Sequence, residues 1–202
     1  MNIKFLPVKS YTQGRTHPIK GICIHIAEGN ASQVYQTFNN EPKSSHYLVL
    51  RNGDTWQFVR EQDTAWAQGF KDRPIAKLVL ENINLNPNEY LLSIEFEGTS
   101  KEDITEVQYL NGGKLIGEIA QRNGTPLNRE KILRHNEIRQ SKTCPALVSV
   151  EKLIRYAQQP PQISEIESIK IKISLLQKLV EIFKSLQFYR KLGSIENEKG
   201  EL

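Results

Sequence analysis

Strands interleaved with helices predict an α/β or α+β domain ending near residue 158, followed by an appended C-terminal amphipathic helix. Three observations carry this. β-branched or alternating apolar runs recur at 21–27, 45–60 and 90–96. Apolar residues at helical spacing separate them at 31–39 and 104–122. A Gln-Gln-Pro-Pro-Gln stretch at 158–162 then divides this pattern from a heptad-like one. Composition agrees: 202 residues with 38% apolar and 25% charged content are enough to build one core and argue against a disordered chain. No run approaches the ~18 apolar residues of a membrane span. Two cysteines, Cys23 and Cys144, exclude a disulfide-dense scaffold. The net charge of +4 favours an anionic partner (nucleic acid, an anionic lipid surface or an acidic wall polymer) and selects none of them.

Taken in order, Gly-Ile-Cys-Ile-His-Ile-Ala at 21–27 reads as a strand with His25 inside it. Val34, Tyr35 and Phe38 mark a short helix over 31–39. Residues 45–60 read as a hairpin about the turn signal Asn52-Gly53. Residues 71–89, rich in Asn, Pro and Lys, read as a long loop with room for a short ordered piece. Tyr-Leu-Leu-Ser-Ile-Glu-Phe at 90–96 is the next strand. Val107, Leu110, Leu115, Ile116 and Ile119 predict a helix over 104–122, interrupted or bent near Gly112-Gly113. Residues 131–135 form a short last strand and 149–158 a closing helix.

The division into 1–158, a Pro-rich linker at 159–162, and 163–202 follows from the change of period. Ile166, Ile169, Ile173, Leu176, Val180 and Phe183 form a heptad-like seam. Such a helix is unstable with its apolar face in water. It is expected to pack on the first domain, to self-associate or to dock on a wall or membrane. The N-terminus has no charged region followed by an apolar run and a small-residue cleavage site. The chain is therefore expected to be made in the cytoplasm and to stay there unless something other than a signal peptide releases it.

Chemistry concentrates in Arg-His-Asn-Glu-Ile-Arg-Gln-Ser-Lys-Thr-Cys-Pro at 134–145. His135 and Cys144 are nine residues apart, and a strand end followed by a tight loop brings such residues to one point. Imidazole and thiolate are good zinc donors, and three protein ligands leave a fourth position for water. Lys142 is expected to lower the pKa of the Cys144 thiol. On spacing alone, Cys23 and His25 share a strand face and leave a closed Cys-His-His-Cys structural site open as an alternative.

Several motifs occur together in order: His25 in an apolar strand, Ser45-His46-Tyr47-Leu48-Val49, Arg51-Asn52-Gly53-Asp54-Thr55, Ala65-Trp66, Ser93-Ile94-Glu95-Phe96-Glu97-Gly98-Thr99, Arg134-His135, and Lys142-Thr143-Cys144-Pro145. Over about residues 15–155 the chain resembles the zinc-dependent N-acetylmuramoyl-L-alanine amidases, a group that includes phage endolysins, muropeptide-recycling amidases and peptidoglycan recognition proteins. The resemblance implies a central mixed β-sheet flanked by helices. It also implies Zn2+ held by His25, His135 and Cys144, the last standing where many relatives have an aspartate. Cys23 then becomes a core residue.

The implied reaction cleaves the amide between the lactyl group of N-acetylmuramic acid and L-alanine. By resemblance Glu95 is the base and later proton donor, Lys142 stabilises the oxyanion, and Tyr47 donates to the oxyanion or orients the water. Glu97 is expected to be a salt-bridged edge residue, and His46 to face away from Tyr47 in a structural hydrogen bond. Trp66 is expected to line the substrate groove, an aromatic face being able to pack on sugar and methyl groups. Many relatives carry a histidine after that tryptophan; here it is Ala67. The expected substrate is peptidoglycan or a muropeptide, in phage-type lysis or in cytoplasmic recycling. A non-catalytic peptidoglycan-binding module is the competing class. Nucleic-acid binding has only the net charge behind it, because no basic stripe with interleaved aromatics is present.

Overall fold

In the computed structural model, which describes residues 3–159 and residue 177, the chain opens with two short strands, β1 (Ile3–Phe5) and β2 (Tyr11–Thr12). The β-branched run forms β3 (Gly21–Ile26), with every residue buried. Helix α1 (Ala31–Asn40) starts at Asn30, whose side chain accepts from the Gln33 backbone N–H while the Gln33 side chain accepts from that of Asn30. The hairpin is β4 (Tyr47–Val49) and β5 (Thr55–Gln57), antiparallel as expected. β6 (Thr64–Ala65) pairs with β2 in a separate two-stranded sheet. The stretch expected as a long loop contains two short helices, α2 (Lys77–Glu81) and α3 (Pro87–Tyr90). Asn86 caps the second, and proline at its first position loses no helical hydrogen bond. Then follow β7 (Leu91–Phe96), α4 (Glu106–Asn123), β8 (Ile132–Arg134), the single turn α5 (His135–Ile138) and α6 (Val150–Gln158). Expectations for the linker beyond Gln159 and for the amphipathic helix and tail lie outside the described residues.

The main sheet is six-stranded and mixed, in the order β1-β5-β4-β7-β3-β8. β4, β7, β3 and β8 run parallel, so their C-terminal ends share one edge. The register sets His25 beside Glu95 and Leu48 beside Glu95. Ile24 lies beside Ile94 and Arg134, and Tyr47 beside Ile94. Because side chains alternate across a strand, His25, Glu95, Cys23, Ser93 and His46 share one face, and Ile24, Ile94 and Tyr47 share the other.

On the second face Ile22, Ile24, Tyr47, Ile94 and Phe96 pack with Leu115, Ile116 and Ile119 of α4 and Leu153 of α6. The break expected at Gly112-Gly113 does not occur, and α4 runs through. The glycines have a packing reason instead. A Cβ on Gly113 would stand 2.4 Å from Tyr156 Cβ and 3.0 Å from the Leu153 carbonyl, so only glycine lets α6 approach this closely. Each glycine costs the helix about 1 kcal/mol of propensity, which the capping box at Thr105 and the close helix–helix packing offset. On the first face α1 covers Leu48, Phe58 and Val59 with Val34 and Phe38. Next to it Cys23, Leu78, Val79, Tyr90, Leu91, Leu133 and Ile138 form a further cluster.

Candidate metal centre and active site

Three parallel strands deliver the site. β3 carries His25 near its C-terminal end, and β7 carries Glu95 at the same level. β8 ends at Arg134, and the next residue, His135, starts the single turn α5. The His25 and His135 rings are 4.5 Å apart. The loop after α5 folds back on itself: Asn136 N–H donates to the Cys144 carbonyl at 2.8 Å, and Lys142 N–H to the Arg139 carbonyl at 3.0 Å. Cys144 Sγ thereby accepts from the Ile26 backbone N–H at 3.3 Å and stands 3.7 Å from His25 Nδ1. Ligand atoms of His25, His135 and Cys144 all lie within 4.8 Å of one another.

The donor set fits a zinc ion. Ligands at ordinary zinc distances and a tetrahedral angle have nitrogen and sulfur about 3.6 Å apart, close to the separation found between His25 and Cys144. Both rings are neutral: burial, then the neighbouring His135, drives His25 well below the usual histidine range. Burial likewise lowers His135 to about 4, with Lys142 and Arg139 adding to it. His135 Nε2 lies 3.1 Å from the Gln68 carbonyl, which accepts its proton and leaves Nδ1 free to ligate. The Gln68 side chain lies against His25 and opposes the lowering of its pKa, although His25 Nε2 and Gln68 Oε1 fall short of full hydrogen-bond geometry. Gln68 was not singled out in the sequence, since a contact made through its main chain leaves no residue-type signal.

Glu95 approaches the same point, with Oε1 3.9 Å from His25 Nδ1 and the side chain 13% exposed. Burial pushes its carboxyl up to about 8; Lys43 opposes this and Glu28 adds to it. Its second oxygen is buried and unpartnered among the described residues. Lys142 is exposed at the rim. Its expected lowering of the Cys144 thiol is outweighed: burial first, then Glu95, drives that thiol up, against the Ile26 N–H and Lys142.

The remaining candidates sit elsewhere. Tyr47 is not brought to the cluster, because alternation along β4 turns it to the opposite face from Glu95. There it is 3% exposed and donates its hydroxyl to Glu61 Oε1 at 2.7 Å, while Arg122 holds the same carboxylate. Burial and Glu61 push its phenol up, and the proton that an oxyanion would need is already given to that carboxylate. Trp66 is 39% exposed and donates its indole N–H to Thr12 Oγ1 at 3.0 Å. It lines a cleft of about 210 Å3 with Thr12, Arg15, Asn86 and Glu89. Ala67 donates its backbone N–H to Asn88 Oδ1.

Cys23 is fully buried with Leu78, Tyr90 and Leu133, outside the metal cluster, as expected of a core residue. Glu97 is structural but in another way than expected: its carboxylate accepts the backbone N–H groups of Ala31 at 2.9 Å and Arg51 at 2.8 Å. His46 is buried between Arg15 and Ser93.

A family model described as N-acetylmuramoyl-L-alanine amidase matches residues 15–147, which span the whole cluster. Among curated proteins, the 1,6-anhydro-N-acetylmuramyl-L-alanine amidase AmpD of Haemophilus influenzae is 28% identical over 98 residues, 47% of this chain and 47% of its own. The chain thus matches about half the length of that curated relative. Among solved structures, a selenomethionine derivative of AmpD has a TM-score of 0.59 at 19% identity, covering 78% of this chain and 94% of its own. PlyL has a TM-score of 0.59 at 19% identity, with 79% and 98% covered. AmiD from E. coli, solved with its substrate anhydro-N-acetylmuramic acid-L-Ala-D-γ-Glu-L-Lys, has a TM-score of 0.55 at 23% identity, with 71% and 60% covered. At these identities the structures share the fold.

Proposed function

The chain belongs to the N-acetylmuramoyl-L-alanine amidase family, and from that premise we propose that it is a zinc-dependent hydrolase of the amide between N-acetylmuramic acid and L-alanine. The observation that carries the reading is the convergence of two neutral imidazoles, one thiol and a buried carboxyl at one sheet edge. His25, His135 and Cys144 would hold the ion. Bound there, zinc supplies Lewis-acid polarisation of a carbonyl and lowers the pKa of water toward ~7.

The chain's own residues do the rest. Glu95, with Oε1 3.9 Å from His25 Nδ1, takes a proton from the attacking water and returns it to the leaving amine. Lys142, at the rim, offers a cation to the carbonyl oxygen as it gains negative charge. The Gln68 carbonyl fixes the His135 ring so that Nδ1 faces inward. Trp66 offers an aromatic wall for sugar or peptide.

The substrate class follows from the family and from the muropeptide bound by AmiD. Our reading is breakdown of the wall after release from the cytoplasm, in the manner of phage-type endolysins. The likeness to an amidase of 1,6-anhydro muropeptides favours a second reading, recycling of soluble fragments. The test is release of new L-alanine amino termini from purified sacculi and from anhydro-muropeptide, with a chelator and with zinc added back. Chelator-sensitive release restored by zinc is expected, and turnover of sacculi over fragments selects lysis. No release from either, with one zinc bound per chain, would leave a binding module.

A further inference from the structure

We infer that Arg139, stacked on Phe70, is a carboxylate-binding subsite at the mouth of this site, reading the free α-carboxylate of the second residue of the stem peptide. This rests on the amidase reading above. Arg139 directly follows the single turn that starts at His135, and its backbone N–H donates to the His135 carbonyl at 3.0 Å. Its guanidinium carbon lies 3.8 Å over the Phe70 ring. Its Nη1 packs on Gly69, where a Cβ would stand 3.1 Å away; the φ of +63° there also demands glycine. Gly69 follows Gln68, whose carbonyl accepts from His135 Nε2. The cation is thus held within one residue of a contact to a proposed zinc ligand.

Its charge has no partner. Arg51, Arg122, Arg129 and Arg134 each reach a carboxylate. Arg139 reaches none among the described residues, and its Nε is buried without an acceptor. Phe70 is 65% exposed, a large aromatic left in water beneath that guanidinium. Stacking fixes the guanidinium plane and leaves its outer N–H edge for a planar bidentate acceptor. The peptide beyond the scissile bond supplies one. A γ-linked glutamate after L-alanine keeps its α-carboxylate free, within roughly 7 Å of the amide nitrogen by chain length.

The test is calorimetric titration of the zinc-loaded full chain with the tripeptide L-Ala-D-γ-Glu-L-Lys and with its α-carboxamide (D-isoglutamine) counterpart. The acid should bind about tenfold more tightly, as one charge-assisted pair warrants. Arg139→Ala should erase that preference by weakening the acid form alone. Arg139→Lys, which keeps charge and bulk, should retain part of it, and provides the readout if the alanine variant fails to fold. A wild-type protein with no preference, or one that binds neither peptide, overturns the subsite, as does an alanine variant that keeps the preference. A preference that depends on Arg139 in a protein that cleaves nothing would remove the amidase reading and leave the subsite standing.

Discussion

His25 and His46 lie on one face of the same sheet and are equally hidden, at 2% and 1% exposure. Their surroundings differ. Arg15 Nη2 stands 2.6 Å and the Asp63 carbonyl 3.2 Å from His46 Nε2, while Nδ1 accepts from the Ser93 backbone N–H at 3.0 Å and lies 2.9 Å from Ser93 Oγ. His46 is saturated. His25 has the Gln68 side chain on one side of its ring, and its Nδ1 on the other faces a thiol at 3.7 Å and a carboxyl at 3.9 Å. Burial alone therefore does not mark a functional histidine here. A ring nitrogen turned toward other ligand-capable groups at one point does.

The strongest way to break the comparison is to delete each ring. His25→Ala should lower zinc affinity by more than about 100-fold, beyond what loss of an outer-shell contact costs, with little change in metal-free stability. Metal analysis and denaturant melts read both. Glu95→Gln should keep zinc and reduce turnover by about 10³-fold, measured as amine release. His46→Ala should do the reverse of His25→Ala, keeping zinc and costing about 2–3 kcal/mol in urea melts, because Arg15 and Ser93 lose a buried partner. A zinc-deficient His46→Ala would end the distinction.

The pH dependence sharpens it. His46 is lowered to about 3 by burial and Arg15, so in the fold it stays neutral where the unfolded chain takes a proton. Its contribution is complete above 6.5 and lost as pH falls toward about 3. Glu95, raised to about 8, acts in the opposite sense: its contribution is present below 4.5 and lost as pH rises through about 8. Metal-free His46→Asn should show a shallower acid limb and metal-free Glu95→Gln a shallower alkaline one, in melts across pH. The smallest effect is expected at Tyr47→Phe, about 1 kcal/mol from the lost bond to Glu61 with turnover unchanged. A drop in turnover would restore the catalytic role that the resemblance implied.

Tyr47 shows where a sequence stops being readable. That His46 and Tyr47 point to opposite faces is local alternation, and it is legible. Which face holds the metal is not, because it depends on pairing β4 with β7 across the sheet. β3, β7 and β8 were legible from their β-branched runs and α1 from its apolar spacing. β1, β2 and β6 are two or three residues long and too short for a period. The glycines of α4 looked like a break because a helix-propensity argument sees only the cost in one helix, and the gain lies in α6. The three proposed zinc ligands were legible through side-chain chemistry and motif order. Gln68 and Arg139 were not, since one acts through a carbonyl and the other through a stack formed by residues distant in sequence.

The cluster also joins distant parts of the chain: His25 and Cys144 are separated by 119 positions. No partly folded segment can present all three ligand atoms together, because the loop between them must already be closed. Metal uptake thus reports completion of the domain rather than formation of any one element. An ion that binds only the finished fold adds its own binding energy to that fold, by RT ln(1 + [Zn]/Kd). The melting temperature of this protein should accordingly rise with zinc concentration well past one equivalent, and fall when a chelator is present.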